Sequence, residues 1–497
     1  MANEYWKHFK SGTDIRGIAM EGVEGQHIDL IDEVISRLGT SFILWLSEKT
    51  GKKSTELTVS VGRDSRLSGP RIAAALIGAL KASGARVLNC GLSSTPAMFM
   101  TTIDLNCDGA VQITASHHPW NRNGLKFFVS SGGLESSDIS AILDLAQAGT
   151  ECTAEGGTVE EIDYMETYSA HLRKMISDGV GGNLEGFHVV VDAGNGAGGF
   201  YVERVLKPLG ADTSGSQFLE PDGSFPNHVP NPENEEAMNS VCEAVKNSGA
   251  DLGIIFDTDV DRAGCVDQHG REINRNRLIA LASVIALEGN EGGTIVTDSI
   301  TSTGLKTFIE QELGGVHCRF KRGYKNVINE AIRLNNEGIN APLAIETSGH
   351  AALRENYFLD DGAYLATKIL IKAALLRKEG KSIDSLIEKL AEPLESTELR
   401  FAITEPDFKT RGQEILSSLE SYAVKEGWIL ANDSREGVRA TIGKGWFLLR
   451  MSVHDPVMPM NIESDEPGGC EAIARKLLEF LETQKGIDIA PLKKYLA

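Results

Sequence analysis

Short apolar, β-branched runs recur along the chain. Between them lie longer stretches whose apolar positions fall on one helical face. The pattern predicts strands at LTVSV (57–61), ARVLNC (85–90), AVQIT (110–114), HVVVD (188–192), LGIIF (252–256), TIVT (294–297) and LAIE (343–346). It predicts amphipathic helices at PRIAAALIGALKAS (70–83) and GAYLATKILIKAALLRKEG (362–380). Such alternation implies α/β layers around mostly parallel sheets. The 497 residues are too many for one core, which stops growing at about 250–300 residues. A linker-like stretch at SDGVGGNLEG (177–186) and weaker breaks at GREINRN (270–276) and KLAEPLEST (389–397) divide the chain into 1–180, 181–275, 276–394 and 395–497. The last segment alternates least and is expected to be α+β.

Three strand-like runs end in dense polar loops: VQIT enters ASHHP, GIIF enters DTDVDR, and LAI enters ETSGH. Ligands of open α/β sheets bind at the carboxyl ends of strands, so all three loops stand where chemistry is expected.

Charge narrows the classes. Lys and Arg number 49 against 70 Asp and Glu, a formal net charge of −21. That balance argues against a general nucleic-acid binder, and an anionic substrate then needs a local basic island. The seven cysteines, Cys90, Cys107, Cys152, Cys242, Cys265, Cys318 and Cys470, are dispersed, with no C-x-x-C pair. This argues for a reduced compartment. MANEYWKHFKSG lacks an apolar signal core, and no run approaches the roughly 20 apolar residues of a membrane span. The expectation is a cytoplasmic chain with neither a membrane nor a nucleic-acid partner.

In DTDVDR, Asp257, Asp259 and Asp261 alternate after an apolar run. Carboxylates this close repel unless a cation lies between them, and oxygen-only ligands suit Mg²⁺. An EF-hand would need Gly at the sixth position and Glu at the twelfth, where Arg262 and Gln268 stand. A solvated acidic turn is the plain alternative. Arg262 beside a cation is placed to bind a phosphoryl oxygen. In TASHHPWNRNGLK, Ser116 lies just past a strand, and Lys126 is a candidate proton carrier that a turn at Asn123-Gly124 would fold back toward it. A polar surface loop is the alternative there. In ETSGH, Glu346, Ser348 and His350 suit sugar hydroxyls, or Ser348 caps a following helix. In KRGYKN (321–326) and GVRATIGKGWFLLRMSVHDP (437–456), Arg322, Lys325, Arg439 and Arg450 are candidate anion contacts. Ser452 and the backbone around Val453 are a candidate phosphate nest.

TASHHP…NG.K, DTDVDR and ETSGH, in this order, resemble the α-D-phosphohexomutase family of phosphoglucomutases, phosphomannomutases and phosphoglucosamine mutases. SGTDIRG (11–17), VGRDSR (61–66), STP (94–96) and PDGSFPNHVPNPE (221–233) extend the resemblance over essentially the whole chain. It implies four domains around a central cleft, the first three of related mixed α/β sheets and the fourth α+β. It implies a phosphoserine at Ser116 and Mg²⁺ held by Asp257, Asp259, Asp261 and an oxygen on Ser116. Lys126 matches the general acid/base, Arg16 and His117 lie close to the phosphoserine, and Arg262 neutralises the transferring group. Glu346, Ser348 and His350, with Gly323 and Tyr324, match sugar contacts. Arg450 and Ser452, with Arg322, Lys325 and Arg439, match the grip on the non-reacting phosphate. The partners implied are phosphosugars, with a sugar bisphosphate as activator or donor; the oligomeric state stays open.

Three positions depart from the family pattern. His118 stands for Asn, and Tyr324 follows Gly323 where His is common. The phosphate loop, R-x-S-x-T-E-P followed by basic residues, here reads RMSVHDPVMPMNIES, with His454 for Thr, Asp455 for Glu and no Lys or Arg from Met451 to Ser464. This is similar to the branch of glucose 1,6-bisphosphate synthases, which recharge the serine from a donor such as fructose 1,6-bisphosphate. That branch is the favoured expectation, with a mutase interconverting hexose 1- and 6-phosphates as the alternative. A non-catalytic phosphosugar sensor is the alternative from another class; the joint presence of Ser116, Lys126 and the Asp loop argues against it.

Overall fold

The computed structural model describes residues 2–452 and 455–497. The chain gathers into two compact units, Met1–Ile285 with Ser348–Leu386, and Ala286–Thr347 with Ile387–Ala497.

The first unit begins with a large sheet. Thr58–Arg63 lies parallel between Arg86–Leu92 and Gly109–Ile113, and Thr158–Glu161 extends the parallel side. On the other side the chain reverses. Gly109–Ile113 pairs antiparallel with Arg122–Val129, which pairs antiparallel with Asp14–Ile18. The sheet is therefore mixed rather than mostly parallel. The connection from Ile113 to Arg122 is too short for the crossover helix that a parallel neighbour requires.

The strand Arg122–Val129 also corrects the expected turn at Asn123-Gly124. Both residues lie inside the strand, and the reversal is made earlier, where the His118 N–H donates to the Ala115 carbonyl and the Arg122 N–H to the Pro119 carbonyl. Asn123-Gly124 serves close approach instead. Gly124 sits opposite Arg16, and a Cβ on it would lie 2.2 Å from the Ile15 carbonyl oxygen.

Strand alternation aims the side chains. Phe127 packs on Phe42 of the helix Asp32–Thr50, ring centroids 4.7 Å apart, within a core that includes Val59, Val111, Leu76 and Ile139. Phe128 turns to the other face, toward Phe99 of the helix Thr95–Asp104. Lys126 shares the face of Phe128, because residues two apart on a strand point the same way.

In the second sheet, Leu252–Phe256 lies parallel to Val189–Asp192 and antiparallel to Ala263–Asp267. The Asp loop is the hairpin connection between two fully buried strands. Later in the same unit Ala351–Leu353 pairs antiparallel with Leu359–Asp360, and the helix Gly362–Lys378 follows. Gly362 is pressed on the Arg262 backbone, where a Cβ would lie 2.5 Å from the carbonyl carbon.

In the second unit Thr294–Thr297 runs parallel to both Val316–Arg319 and Leu343–Ile345. The C-terminal part is a five-stranded antiparallel sheet ordered Glu395–Ala402, Val457–Ser464, Gly445–Leu449, Val438–Ile442 and Ile429–Leu430. Helices Phe408–Lys425 and Gly469–Leu481 contribute Ile415, Leu419, Ile473 and Leu477 to a core with Phe401, Phe447 and Ile462. This part is α+β, as expected. The helices read from periodicity appear as Gly69–Ala82 and Gly362–Lys378. The linker-like stretch starts later than its composition indicates: the helix Tyr164–Val180 runs through Ser177 and stops at Gly181, whose φ is +69°. Among the described residues no helix is long and apolar enough to cross a membrane.

Replacing Gly124 by Ala forces a methyl group against the Ile15 carbonyl. We expect a stability loss of about 1–3 kcal/mol, with faster amide exchange in Asp14–Ile18. Thermal unfolding and hydrogen exchange check this; an unchanged midpoint with unchanged protection would contradict it.

Candidate active site

Ser116 begins the polar loop that joins two antiparallel strands. Its φ of +50° lies in the left-handed region that residues with a side chain avoid. Its N–H donates to Thr114 Oγ1 at 2.9 Å. Its Oγ lies 3.2 Å from Arg262 Nη2, 3.2 Å from His117 Nδ1 and 3.4 Å from Asp257 Oδ2.

Asp257, Asp259 and Asp261 are all buried, each with an oxygen within 4.8 Å of the others. Lys126 Nζ donates to Asp259 Oδ2 at 3.1 Å and also to Asp261. Burial, reinforced by Asp261, drives the Asp257 carboxyl well above the usual range against the pull of Arg262. Burial also works to raise Asp261, but Lys126, then His350 and Arg262, hold it well below that range. The Oδ1 atoms of Asp259 and Asp261 are buried without a hydrogen-bond partner among the described residues. Buried carboxylate oxygens left unpaired around one small volume fit a hard cation such as Mg²⁺. Asp261, His350 and Asp360 form a second close group. Burial opposes a charge on His350, yet Asp360, then Asp261, outweigh it and raise the imidazole to about 9. His350 Nδ1 is bonded to Asp360 Oδ2 at 2.6 Å, which favours the charged imidazole.

Arg262 ties the loops together. Its Nε donates to Asp257 Oδ2 at 3.1 Å, Nη1 to Asn231 Oδ1 at 3.1 Å, and Nη2 to Ser116 Oγ and to His117 Nδ1 at 2.9 Å. A ring nitrogen that accepts from a guanidinium carries no proton, so His117 is the neutral tautomer protonated at Nε2. His117 is exposed on the loop, yet neighbouring protein atoms partly desolvate its imidazole. That desolvation, then the charge of Arg262, pushes it down to about 2. Burial, then Arg16, takes His118 down to about 3; its ring lies 5.4 Å from that of His117. Arg16 Nη2 is held by Asp14 at 2.8 Å. The segment after His350 is the strand Ala351–Leu353, so Ser348 does not cap a helix.

In the second unit Gly323, with φ +116°, donates its N–H to Glu346 Oε1 at 2.6 Å. Tyr324 and Lys325 open the helix Tyr324–Asn336. The Arg322 N–H donates to Glu436 Oε1 at 3.0 Å. Arg450 is 5% exposed, and its Nε has no hydrogen-bond partner among the described residues. Burial lowers its pKa; Glu436 pulls it back and the charge of Arg322 adds to the lowering. The Ser452 N–H donates to the Val457 carbonyl at 2.8 Å, and Ser452 Oγ accepts from the Asp455 N–H at 3.3 Å. Val453 and His454, half of the expected nest, lie outside the described residues. Arg439 departs from expectation. Its Nη1 donates to the Ser299 carbonyl at 2.8 Å and Nη2 to the Thr301 carbonyl at 3.1 Å, and it stacks on Trp446 at 3.5 Å. Its guanidinium is committed to these contacts, which takes it out of the anion-binding set.

The structure adds residues to which sequence reading gave no role. Thr95 Oγ1 donates to Asp259 Oδ2 at 2.5 Å, and its N–H to the Asp259 carbonyl at 2.8 Å. Asn231 holds Arg262, and Asp360 holds His350. STP and PNPE were visible as motifs, but neither carries a local sign of a partner so far along the chain.

Three family profiles match the chain, described as phosphoglucomutase/phosphomannomutase, alpha/beta/alpha domain I over residues 10–152, domain II over 166–270 and domain III over 274–394. The chain is 32% identical over 450 residues to a phosphomannomutase/phosphoglucomutase of Pseudomonas syringae pv. tomato, covering 90% of this chain and 92% of that protein. It is 29% identical over 475 residues to a phosphoglucomutase of Neisseria gonorrhoeae, covering 95% and 96%. Its structure matches the crystal structure of a phosphoglucomutase/phosphomannomutase family protein from Burkholderia thailandensis with a TM-score of 0.79 at 27% identity, covering 96% of this chain and 97% of the other.

Two outcomes are expected of this site. Mg²⁺ at a hundred times its dissociation constant stabilises a folded state that alone binds it by about 2.7 kcal/mol, so thermal unfolding of the wild type shifts upward. Asp259→Asn should lose most of that shift; an equal shift in both proteins would remove the aspartates as the metal site. A His pKa raised above its ordinary 6.5 contributes stability that is present below pH 6.5 and lost as pH rises through about 9. Asp360→Asn should bring the NMR titration midpoint of His350 down and flatten that loss; an unmoved midpoint would show that Asp360 does not set it.

Proposed function

The chain belongs to the α-D-phosphohexomutase family of phosphoglucomutases and phosphomannomutases, and from that premise we propose that it moves a phosphoryl group between Ser116 and the 1- or 6-hydroxyl of a hexose phosphate. The observation that carries the reading is the position of Ser116 Oγ, 3.2 Å from Arg262 and 3.4 Å from Asp257, beside carboxylate oxygens without a hydrogen-bond partner among the described residues.

Phosphoryl transfer asks for alignment and charge neutralisation more than for covalent assistance. Asp257, Asp259, Asp261 and an oxygen on Ser116 would hold Mg²⁺, whose charge offsets that of the transferring group. Arg262 donates to Ser116 Oγ from one side and is kept in line by Asp257 and Asn231. Neutral His117 accepts from Arg262 and adds no competing positive charge. Lys126 carries the proton that the sugar hydroxyl loses and Ser116 regains as the P–O bond moves from one oxygen to the other. Glu346, with Gly323, Tyr324, Ser348 and His350, contacts the sugar. Arg450, Arg322, Ser452 and Lys325 take the phosphate that is not reacting. The four segments 1–180, 181–275, 276–394 and 395–497 would each supply one loop.

The relatives are named as mutases, which supports interconversion of hexose 1- and 6-phosphates with a sugar bisphosphate as activator. One observation favours a second reading, synthesis of glucose 1,6-bisphosphate from a donor such as fructose 1,6-bisphosphate. No Lys or Arg lies between Met451 and Ser464, and Arg439 is committed elsewhere. A weaker grip on the distal phosphate would release the bisphosphate rather than retain it for reorientation.

Incubation with glucose 1,6-bisphosphate and Mg²⁺, followed by peptide mapping, should find phosphate on Ser116. Ser116→Ala should fold normally and lose turnover by more than about 10⁴-fold. No phosphate on Ser116 under any condition would sink the mechanism. With glucose 6-phosphate and fructose 1,6-bisphosphate, glucose 1-phosphate as main product marks the mutase. Stoichiometric glucose 1,6-bisphosphate marks the synthase.

A further inference from the structure

We propose that Arg66 is a positioning residue for phosphoryl transfer, holding Ser116 in its left-handed conformation by gathering the carbonyls of the 116–122 loop onto one guanidinium. The inference rests on the reading of Ser116 as phosphoryl carrier.

Arg66 follows the strand Thr58–Arg63, the parallel neighbour of Gly109–Ile113, so the sheet delivers Arg66 and the Ser116 loop at the same edge. Its relative exposure is 0%, and both of its Nη atoms are taken by backbone carbonyls of the loop. Nη1 donates to the carbonyls of Pro119 at 2.8 Å and Arg122 at 3.0 Å. Nη2 donates to the carbonyl of His118 at 2.7 Å and to that of Ser116. Four loop carbonyls thus converge on one buried cation.

The cation is itself held from behind. Asp64 Oδ1 accepts the Arg66 N–H at 3.0 Å, and Asp64 Oδ2 lies 3.3 Å from Nε. The ring of Phe225 lies 5.3 Å from the guanidinium. Gly223 permits that segment to press on the Arg66 turn, where a Cβ would lie 2.4 Å from the Leu67 nitrogen.

The physical consequence lies in where the loop dipoles point. Carbonyls drawn inward to Arg66 leave the Ser116 hydroxyl on the outer side, where it meets Arg262 and Asp257. Without the guanidinium, four carbonyl oxygens would crowd one another beside a group due to carry phosphate. Ser116 would then relax from φ +50° toward ordinary backbone. A planar fork with five donors can hold four acceptors, and a lysine ammonium with three donors at one point cannot. Misplacement of a reacting atom by about 1 Å can cost about a hundredfold in rate while leaving distant binding contacts unchanged.

The test compares the full-length wild type with Arg66→Lys in Mg²⁺. It reads kcat and KM for glucose 1-phosphate, the single-turnover rate of Ser116 phosphorylation by glucose 1,6-bisphosphate, and amide exchange over residues 115–122. We expect kcat and the phosphorylation rate to fall about 10–100-fold, KM to stay within about twofold, and the loop amides to exchange faster. Wild-type exchange in the loop, or a wild-type phosphorylation rate, would overturn the proposal. So would a KM increase that accounts for the whole loss. If Arg66→Lys does not fold, Asp64→Asn keeps the arginine and loosens it. A smaller fall in kcat at unchanged KM, with faster loop exchange, is then expected, and unchanged exchange again overturns the clamp. Wild-type protein that never takes phosphate on Ser116 would instead refute the carrier reading, which the exchange measurement does not depend on.

Discussion

Everything at the candidate site follows from one constraint: several charges share a buried volume and must balance there. At full ionisation Asp257, Asp259, Asp261 and Asp360 contribute −4, while Lys126, Arg262 and a charged His350 contribute +3, a sum of −1. An unpaired buried ion costs several kcal/mol even after relaxation, so neither sign can be present alone. The same sum explains why the cluster suits a phosphoryl reaction. A divalent cation takes it to +1, and a phosphoryl group of about −2 returns it to −1. With both bound, the site would stay within one charge of neutrality.

The fold can be understood as the machinery that brings those charges together. Lys126 and the Asp loop come from separate sheets: Lys126 lies within a buried strand paired with Gly109–Ile113, and the Asp loop joins two buried strands of a hairpin. Hairpins are stiff and carry little conformational freedom, which matters when partners must meet within hydrogen-bonding distance. Gly124 and Gly362 let neighbouring backbones approach Arg16 and Arg262 more closely than any Cβ would allow. Thr95 uses both its hydroxyl and its N–H on Asp259, so the residue that opens a helix also fixes a candidate metal ligand. Burial drives Asp257 upward, with Asp261 adding to the rise and Arg262 opposing it; burial works the same way on Asp261, but Lys126, then His350 and Arg262, pull it down.

The strands and the site loops were legible in the sequence because both have local signatures. A β-branched run of four or five residues ends in a polar cluster, and that juxtaposition marks the carboxyl edge of a sheet. The convergence of Ser116, Lys126, the aspartates and Arg262 followed from it. What was not legible lacks such a signature. Asn123-Gly124 has the composition of a turn, and only the strand Asp14–Ile18, more than a hundred residues earlier, explains why glycine is needed there. Arg66, Asn231 and Asp360 act through partners on other loops, and nothing in their neighbours announces that. Arg439 misled in the opposite direction: a basic residue near a phosphate motif resembles an anion contact, yet its partners are two carbonyls and an indole ring.

The second unit buries a cation, Arg450, in a chain of net charge −21. Surface charge does not decide its pairing, because exposed charges separated by more than about 8–10 Å are largely screened at ordinary ionic strength. Burial does. Arg450 has given up water, its Nε has found no partner among the described residues, and the charge of Arg322 adds to its discomfort. The cost of desolvating that guanidinium has been met by folding, so an anion that reached it would collect the pairing energy without repeating the expense. Few such cations are then needed. From Met451 to Ser464 the chain carries no Lys or Arg, so an anion held there would have to rely on Arg450 and its neighbours.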